Sequence, residues 1–239
     1  MAIDDPLARQ KDLAARAAVR RVKPGMTVAL GSGSTAAYAI RALAEGRSGA
    51  PITAVASSRA TEELAKGLGL AVRPLAAADE FDVMLDGADE VTPRLELTKG
   101  GGGALFREKF LARLSREVVI IVDHTKLVSH LGSRSSIPVE VVPFARPVIA
   151  RQLAQRRFGL AVRGAEGDGP GARTDNGNEV LDLRPPEPVE NAAELDRDLR
   201  SIPGVVETGI FVGLTHRVYV GLPDGTVQEI IPAVAARAA

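Results

Sequence analysis

Four segments of the chain gather polar and flexible residues at spacings that chemistry can use. The first is Gly31-Ser32-Gly33-Ser34-Thr35. Its glycines let the backbone come close to a ligand, and amide N–H groups at the start of a following helix suit a phosphate. The hydroxyls of Ser32, Ser34 and Thr35 add donors. No Gly-Lys-Ser/Thr follows, so this is not a Walker loop. The third glycine of a dinucleotide fingerprint is missing, and the second strand ends in Ser57-Ser58 instead of an acid. The segment reads as a phosphomonoester cradle, against the plainer reading of a tight strand-to-helix turn.

The second segment is Asp86-Gly87-Ala88-Asp89-Glu90. Three carboxylates this close repel one another unless they are solvated or given a task. The small residues between the aspartates allow a tight turn, so both can face one pocket. A divalent metal is conceivable there, but His124, His130 and His216 show no metal-binding spacing. Hydrogen bonding to sugar hydroxyls suits the aspartates better. The third segment runs from Lys99 through Gly100, Gly101, Gly102 and Gly103 to Arg107-Glu108-Lys109. Four consecutive glycines are entropically costly to order, and make sense if backbone amides surround a ligand. Neighbouring helix residues point in different directions, so Arg107 and Lys109 need not pair with Glu108. A carboxylate facing a glycine-walled, partly dry pocket suits a general base. The fourth segment is Asp123-His124-Thr125-Lys126, readable also as a helix cap with a solvated lysine.

The elements that must position these segments alternate. Residues 5–22 read as a helix stopped by Pro24-Gly25. Strands are expected at Met26–Leu30, Ile52–Ala56, Leu70–Arg73, Phe81–Leu85 and Val118–Val122, with helices up to Leu43, up to about Leu68, and over 104–115. This is the pattern of a parallel sheet covered on both faces. Each polar segment except the glycine run directly follows a strand, on the edge where open parallel sheets bind ligands. From about residue 137 the rhythm changes: strand Val139–Val142, helix Arg146–Arg157, a short strand at Leu160–Arg163, strand Glu179–Leu183, helix Val189–Ser201 and strand Val205–Val212. That order suggests a ferredoxin-like unit. Arg217–Gly221 and Thr226–Ile231 read as a hairpin that rejoins the first domain, and the glycine-rich Gly164–Gly171 stretch as a mobile loop. The expected fold class is α/β: a Rossmann-like domain (residues 1–136 and 215–239) and a smaller ferredoxin-like domain (residues 137–214).

Composition narrows the function classes. The 239 residues carry 30 basic and 30 acidic side chains, so net charge gives no reason to expect nucleic acid or an anionic membrane. There is no cysteine, which excludes thiol nucleophiles, disulfides and thiolate metal sites. No apolar run approaches the roughly 18 residues of a membrane span. The first residues, Met1-Ala-Ile-Asp-Asp-Pro, lack the pattern of a signal peptide, so the expectation is a cytoplasmic protein. Among the basic residues only Lys11, Lys23, Lys66, Lys99, Lys109 and Lys126 are lysine. Where arginine is the default, a lysine in an unusual loop stands out.

Taken in order, Gly31-Ser-Gly-Ser-Thr-Ala36, Asp86-Gly-Ala-Asp-Glu90, Lys99-Gly-Gly-Gly through Lys109, and Asp123 to Lys126 resemble ribose-5-phosphate isomerase type A. Val139-Glu-Val-Val-Pro143, Thr174-Asp-Asn-Gly-Asn178 and Ile202-Pro-Gly-Val-Val206 extend the likeness over nearly the whole chain. The resemblance implies reversible conversion of D-ribose 5-phosphate to D-ribulose 5-phosphate without a metal or organic cofactor. It implies that Ser32, Gly33, Ser34 and Thr35 bind phosphate with help from Lys11. Asp86 and Asp89, around Gly87 and Ala88, would meet the sugar hydroxyls. Lys99 with Gly100, Gly101 and Gly102 would hold the open-chain oxygens, Glu108 would be the base, and Lys126 would join the substrate site. The small domain would carry the contacts of a homodimer, with a tetramer left open. Ser32 stands where the family commonly has threonine, and His124 where a small residue is frequent. The rival readings are a sugar-phosphate sensor, which needs no base at Glu108, and an amino-sugar phosphate deaminase, for which His124 is the one candidate histidine.

Overall fold

The computed structural model describes residues 6–46, 52–165 and 169–232. The first five residues, part of the Gly164–Gly171 loop and the end of the chain lie outside them. Helix α1 (Pro6–Ala18) starts on a proline, whose fixed φ suits a first helical position. A short 3-10 turn, Val19–Arg21, follows it. Then come β1 (Thr27–Leu30), α2 (Gly33–Glu45), β2 (Thr53–Ala56), α3 (Arg59–Gly67), β3 (Ala71–Val72) and β4 (Phe81–Gly87). Two short strands, β5 (Glu90–Val91) and β6 (Leu97–Thr98), precede α4 (Leu105–Arg113) and β7 (Ser115–Asp123). The small-domain elements are β8 (Ile137–Val141), α5 (Arg146–Gln155), β9 (Gly159–Val162), β10 (Glu179–Arg184), α6 (Ala192–Arg200) and β11 (Val205–Thr208). The described chain ends with β12 (Ile210–Phe211), β13 (Arg217–Gly221) and β14 (Val227–Ile230).

The central sheet has the order β14-β13-β7-β4-β1-β2-β3. All its pairings are parallel except the terminal hairpin, where β13 runs antiparallel to β14. Its inner strands are apolar on both sides. Val119 and Ile121 of β7 join the core beneath α1 and α2, while Val118, Ile120 and Val122 join the core beneath α4. Each such side chain contributes roughly 1.5–3 kcal/mol by leaving water. The chain lays down β1, β2 and β3 in one direction, then returns to place β4 on the other side of β1. The crevice therefore opens between the carboxyl ends of β1 and β4, the topological switch point of an open parallel sheet. Gly31 follows β1 and Asp86 lies near the end of β4, and the Gly31 N–H donates to the Leu85 carbonyl at 2.9 Å.

The second sheet, β11-β8-β10-β9, is wholly antiparallel, and its strand order with α5 and α6 as crossovers is that of a ferredoxin-like unit. The expected continuous strand Val205–Val212 is in fact two. Val205–Thr208 pairs with β8, and Ile210–Phe211 crosses to a three-stranded sheet with β6 and β5. Gly209 makes the crossing possible. A side chain there would collide with the Lys99 carbonyl and with Pro138, while its own backbone bonds both of those residues. The three-stranded sheet was invisible as a sheet in sequence, because two-residue strands carry no periodicity. We expect Gly209→Ala to destabilise the protein by about 1–3 kcal/mol. Chemical denaturation would show this as a lowered midpoint with an unchanged slope.

Candidate active site

Three charged side chains from three elements meet below the switch point. Asp86 comes from β4, Lys99 directly follows β6, and Glu108 is on the first turns of α4; all three are buried. The Lys99 ammonium lies 2.7 Å from Asp86 Oδ2 and 3.2 Å from Glu108 Oε2, and donates to the Gly87 carbonyl at 2.8 Å. It also sits 5.5 Å from the centre of the Phe211 ring, so β12 supplies a cation–π contact. Asp86 Oδ1 accepts from the Gly87 N–H at 2.7 Å and the Ser32 N–H at 3.2 Å. Gly31 lacks a side chain where the Asp86 carboxylate packs, and a methyl group there would overlap it.

Ser32 precedes α2 in extended conformation, the position of a helix cap, yet its hydroxyl caps nothing. It donates instead to Glu108 Oε1 at 2.6 Å. The first N–H groups of α2 thus remain available, a setting that favours anions. A small cavity of about 90 Å³ opens on these groups. It is lined by Lys11, Ser32, Gly33, Ser34, Thr35, Gly87, Ala88, Asp89, Lys99, Gly100, Gly101, Gly102, Glu108 and Lys126. Every site residue expected from sequence lies on its wall except Asp86, which sits beneath it, bonded to Lys99. The cavity shares Ser32, Gly33, Ser34 and Gly102 with a wider cleft of about 550 Å³ that reaches Ser58 of the second strand end and the small domain.

Other groups hold this arrangement in place. Asp89 accepts from the Gly101 N–H at 2.9 Å, so it shapes the glycine loop as well as facing the cavity. Glu90, the third acid of its segment, points away. It accepts from Thr98 Oγ1 and from the N–H groups of Gly132, Arg134 and Ser135 at 2.6–2.9 Å, so its task is structural. Lys11 lies 3.8 Å from Asp123, whose other oxygen takes the Thr125 N–H at 3.0 Å. His124 is held by Gln10 at 2.6 Å and does not line the cavity. Neither neighbour of Glu108 pairs with it. Lys109 bonds Glu207 at 2.8 Å and Asp196 at 3.3 Å, and Arg107 bonds Asn176 at 2.8 Å. All three partners lie in the small domain. Sequence reasoning missed Lys109 as an anchor and passed over Arg163, whose guanidinium reaches the glycine loop. Lys109 lies in the third segment and Arg163 in none, but for both only the tertiary fold brings the partners near.

The electrostatics are unequal. Burial, and then the nearby Glu108 charge, push the Asp86 carboxyl up to about 7 against the pull of Lys99. Burial alone would discharge Lys99, but Asp86 and Glu108 outweigh it and hold the ammonium above its ordinary value. With one cation for two acids, the folded protein retains a proton that the unfolded chain releases. Between pH 4 and 7 folded Asp86 binds more proton than unfolded Asp86, so its contribution to stability falls as pH rises. Lys99 titrates far above that window in both states and does not alter the sign. The stability of wild type minus that of Asp86→Asn should therefore fall steadily from about pH 4 to about pH 7. Denaturant titrations of both proteins across that range would measure it, and a flat difference would contradict this picture.

A family model described as ribose 5-phosphate isomerase A (phosphoriboisomerase A) matches residues 53–225. The ribose-5-phosphate isomerase A of Chloroflexus aurantiacus is 44% identical over 224 residues, covering 92% of this chain and 92% of that protein. The one from Gloeobacter violaceus is 43% identical, covering 94% and 97%. Among solved structures, a D-ribose-5-phosphate isomerase in complex with phospho-erythronic acid superposes with a TM-score of 0.89 at 33% identity, covering 94% of this chain and 99% of that one. Ribose 5-phosphate isomerase A of Methanocaldococcus jannaschii gives 0.86 at 36%, covering 93% and 98%. These relatives are matched over more than nine-tenths of the chain, which belongs to the ribose 5-phosphate isomerase A family.

Proposed function

We propose that the chain interconverts D-ribose 5-phosphate and D-ribulose 5-phosphate, with Glu108 moving a proton between C2 and C1 through a cis-enediolate. The observation that carries the reading is the placing of Glu108: buried at the cavity wall, one oxygen on the Ser32 hydroxyl, the other beside Lys99. A carboxylate so held has few rotamers to lose when substrate arrives. In this reading the phosphate rests on the start of α2, with the hydroxyls of Ser34 and Thr35 and the charges of Lys11 and Lys126. That anchor fixes the reacting carbons near Glu108. Negative charge develops on the carbonyl oxygen as C2 loses its proton. Lys99 and the glycine-loop amides stabilise it, each good donor supplying about 3–4 kcal/mol. Asp86 keeps Lys99 charged and in place, and Asp89 serves the sugar hydroxyls and ring opening. General-base positioning adds roughly a hundredfold to ten-thousandfold.

The test is proton NMR with ribose 5-phosphate in deuterated water and a chelator. The expected result is ribulose 5-phosphate carrying deuterium at the transferred position. Glu108→Gln should bind inorganic phosphate normally and lose most of the turnover. Turnover near wild type in that variant would remove Glu108 from its role. Ligand binding without any turnover in the wild type would favour a sensor.

We read the small domain as the self-association surface. Phe144 is 96% exposed at the turn before α5, with Val142 and Val148 half-exposed beside it. We expect the protein to sediment as a dimer, and Phe144→Asp to shift it to monomer. A wild-type monomer at micromolar concentration would refute this.

A further inference from the structure

A run of four glycines has wide conformational freedom, and within it one bond, from the Gly103 N–H to the Gly100 carbonyl at 2.9 Å, closes the turn. Contacts from outside the run add to that bond in deciding which way the amides point. Arg163, directly after β9, reaches the loop from the small domain. Its Nη1 donates to the Gly100 carbonyl at 2.6 Å and to the Gly101 carbonyl at 3.1 Å. The rest of the guanidinium is locked in a two-pronged pair with Asp182 of β10: Nε to Oδ2 at 2.9 Å, and Nη2 to Oδ1. Asp182 is itself steadied by the Ser136 hydroxyl at 3.2 Å. The Arg163 backbone N–H is tied to the Val180 carbonyl at 3.0 Å, so the side chain starts from a fixed strand.

Planarity carries this orientation across the peptide. In a trans peptide the carbonyl and the following N–H point in opposite directions. With the Gly100 carbonyl turned to Arg163, the Gly101 N–H turns away, and there it meets Asp89. With the Gly101 carbonyl turned to Arg163, the Gly102 N–H must turn away likewise. Gly102 lines the cavity, and a Cβ on it would sit 3.7 Å from Ser32 Oγ, the hydroxyl that holds Glu108. A cation on the carbonyl side also polarises the peptide and strengthens its N–H as a donor.

We propose that Arg163 is a positioning residue for isomerisation: by gripping two carbonyls of the glycine loop, it presents the Gly102 amide to the oxygen that gains charge. This rests on the isomerase reading of the site. Arg163 need not touch the reacting atoms, and the phosphate anchor at α2 does not depend on it. Its loss should therefore lower kcat and spare phosphate binding.

The experiment measures kcat, KM and inorganic phosphate affinity for wild type, Arg163→Met, Arg163→Lys and Asp182→Asn. Removing an oxyanion donor outright costs roughly a hundredfold to a thousandfold in kcat, so a misaimed one should cost about ten- to a hundredfold. In Arg163→Met, KM and phosphate affinity should stay near wild type, and Arg163→Lys should recover part of kcat. Millimolar guanidinium should raise kcat of Arg163→Met and leave Glu108→Gln unchanged, which a merely structural role would not produce. Wild-type kcat in folded Arg163→Met would overturn the proposal, as would a loss that guanidinium cannot recover or one shared by phosphate affinity. If Arg163→Met does not fold, Asp182→Asn decides: kcat lowered at constant KM supports the clamp, and unchanged kcat overturns it. A wild type that does not isomerise ribose 5-phosphate sinks the functional reading and this inference together, whereas an active wild type with an indifferent Arg163 sinks this inference alone.

Discussion

One ammonium between two carboxylates, all three out of water, is the constraint around which the site is organised. Removing charges from water costs several kcal/mol each, and their mutual attraction offsets this only with good geometry and further hydrogen bonds. The surrounding residues supply both. Gly31 leaves room for the Asp86 carboxylate, and the Gly87 and Ser32 N–H groups satisfy one of its oxygens. The Gly87 carbonyl and the Phe211 ring take up Lys99 on its remaining sides. The Ser32 hydroxyl gives up its usual role as a helix cap to hold Glu108. These contacts come from β1, β4, β6, α4 and β12, so the cluster forms only when both the parallel sheet and the small three-stranded sheet have formed.

That dependence explains why the two domains are tied so closely. Residues 107, 108 and 109 leave α4 in three directions about 100° apart. Glu108 faces the cavity. Arg107 grips the Asp175–Asn176 turn, and Lys109 is buried among Glu207, Asp196 and Thr208. Glu140 orders that turn from below by accepting from Thr174, Asn176 and Asn178. Both neighbours of the proposed base thus anchor its helix in the second domain, and the helix has little freedom to roll. Gly209 links β11 to β12 at the same seam and bonds the backbone of Lys99. The small domain is therefore part of the rigid support that a site needs if its groups are to stay within fractions of an ångström.

Much of this was legible in sequence, for identifiable reasons. The parallel sheet announced itself because strands buried on both faces are continuous apolar runs, as in Val83–Leu85 and Val118–Val122. The polar segments other than the glycine run fell on one edge because each of them follows a strand. The ferredoxin-like order was readable from element types alone. What stayed hidden had no local signal. The strands Glu90–Val91 and Leu97–Thr98 are too short for periodicity, and the break at Gly209 looks like any glycine within a strand. Glu90 grouped naturally with Asp86 and Asp89, yet its three backbone N–H partners lie some 40 residues away in the 132–135 turn. Arg163 sits among 24 arginines with nothing local to distinguish it.

Lysine usage shows why a compositional oddity can carry physical meaning. Of the six lysines, Lys23 and Lys66 are exposed; Lys99 and Lys109 are buried, and Lys11, Lys99 and Lys126 line the cavity. The chain otherwise prefers arginine, whose planar fork fits one flat partner from one side. Lys99 has a different task. It must meet Asp86 and the Gly87 carbonyl from β4 and Glu108 from α4, three acceptors on different sides of one ammonium. A compact ammonium with three rotatable donors fits that demand, and a guanidinium does not. Arg163 has the opposite task, since Asp182 and two successive carbonyls present acceptors to the edges of one plane. The choice between the two cations at these positions follows from how their partners are arranged in space.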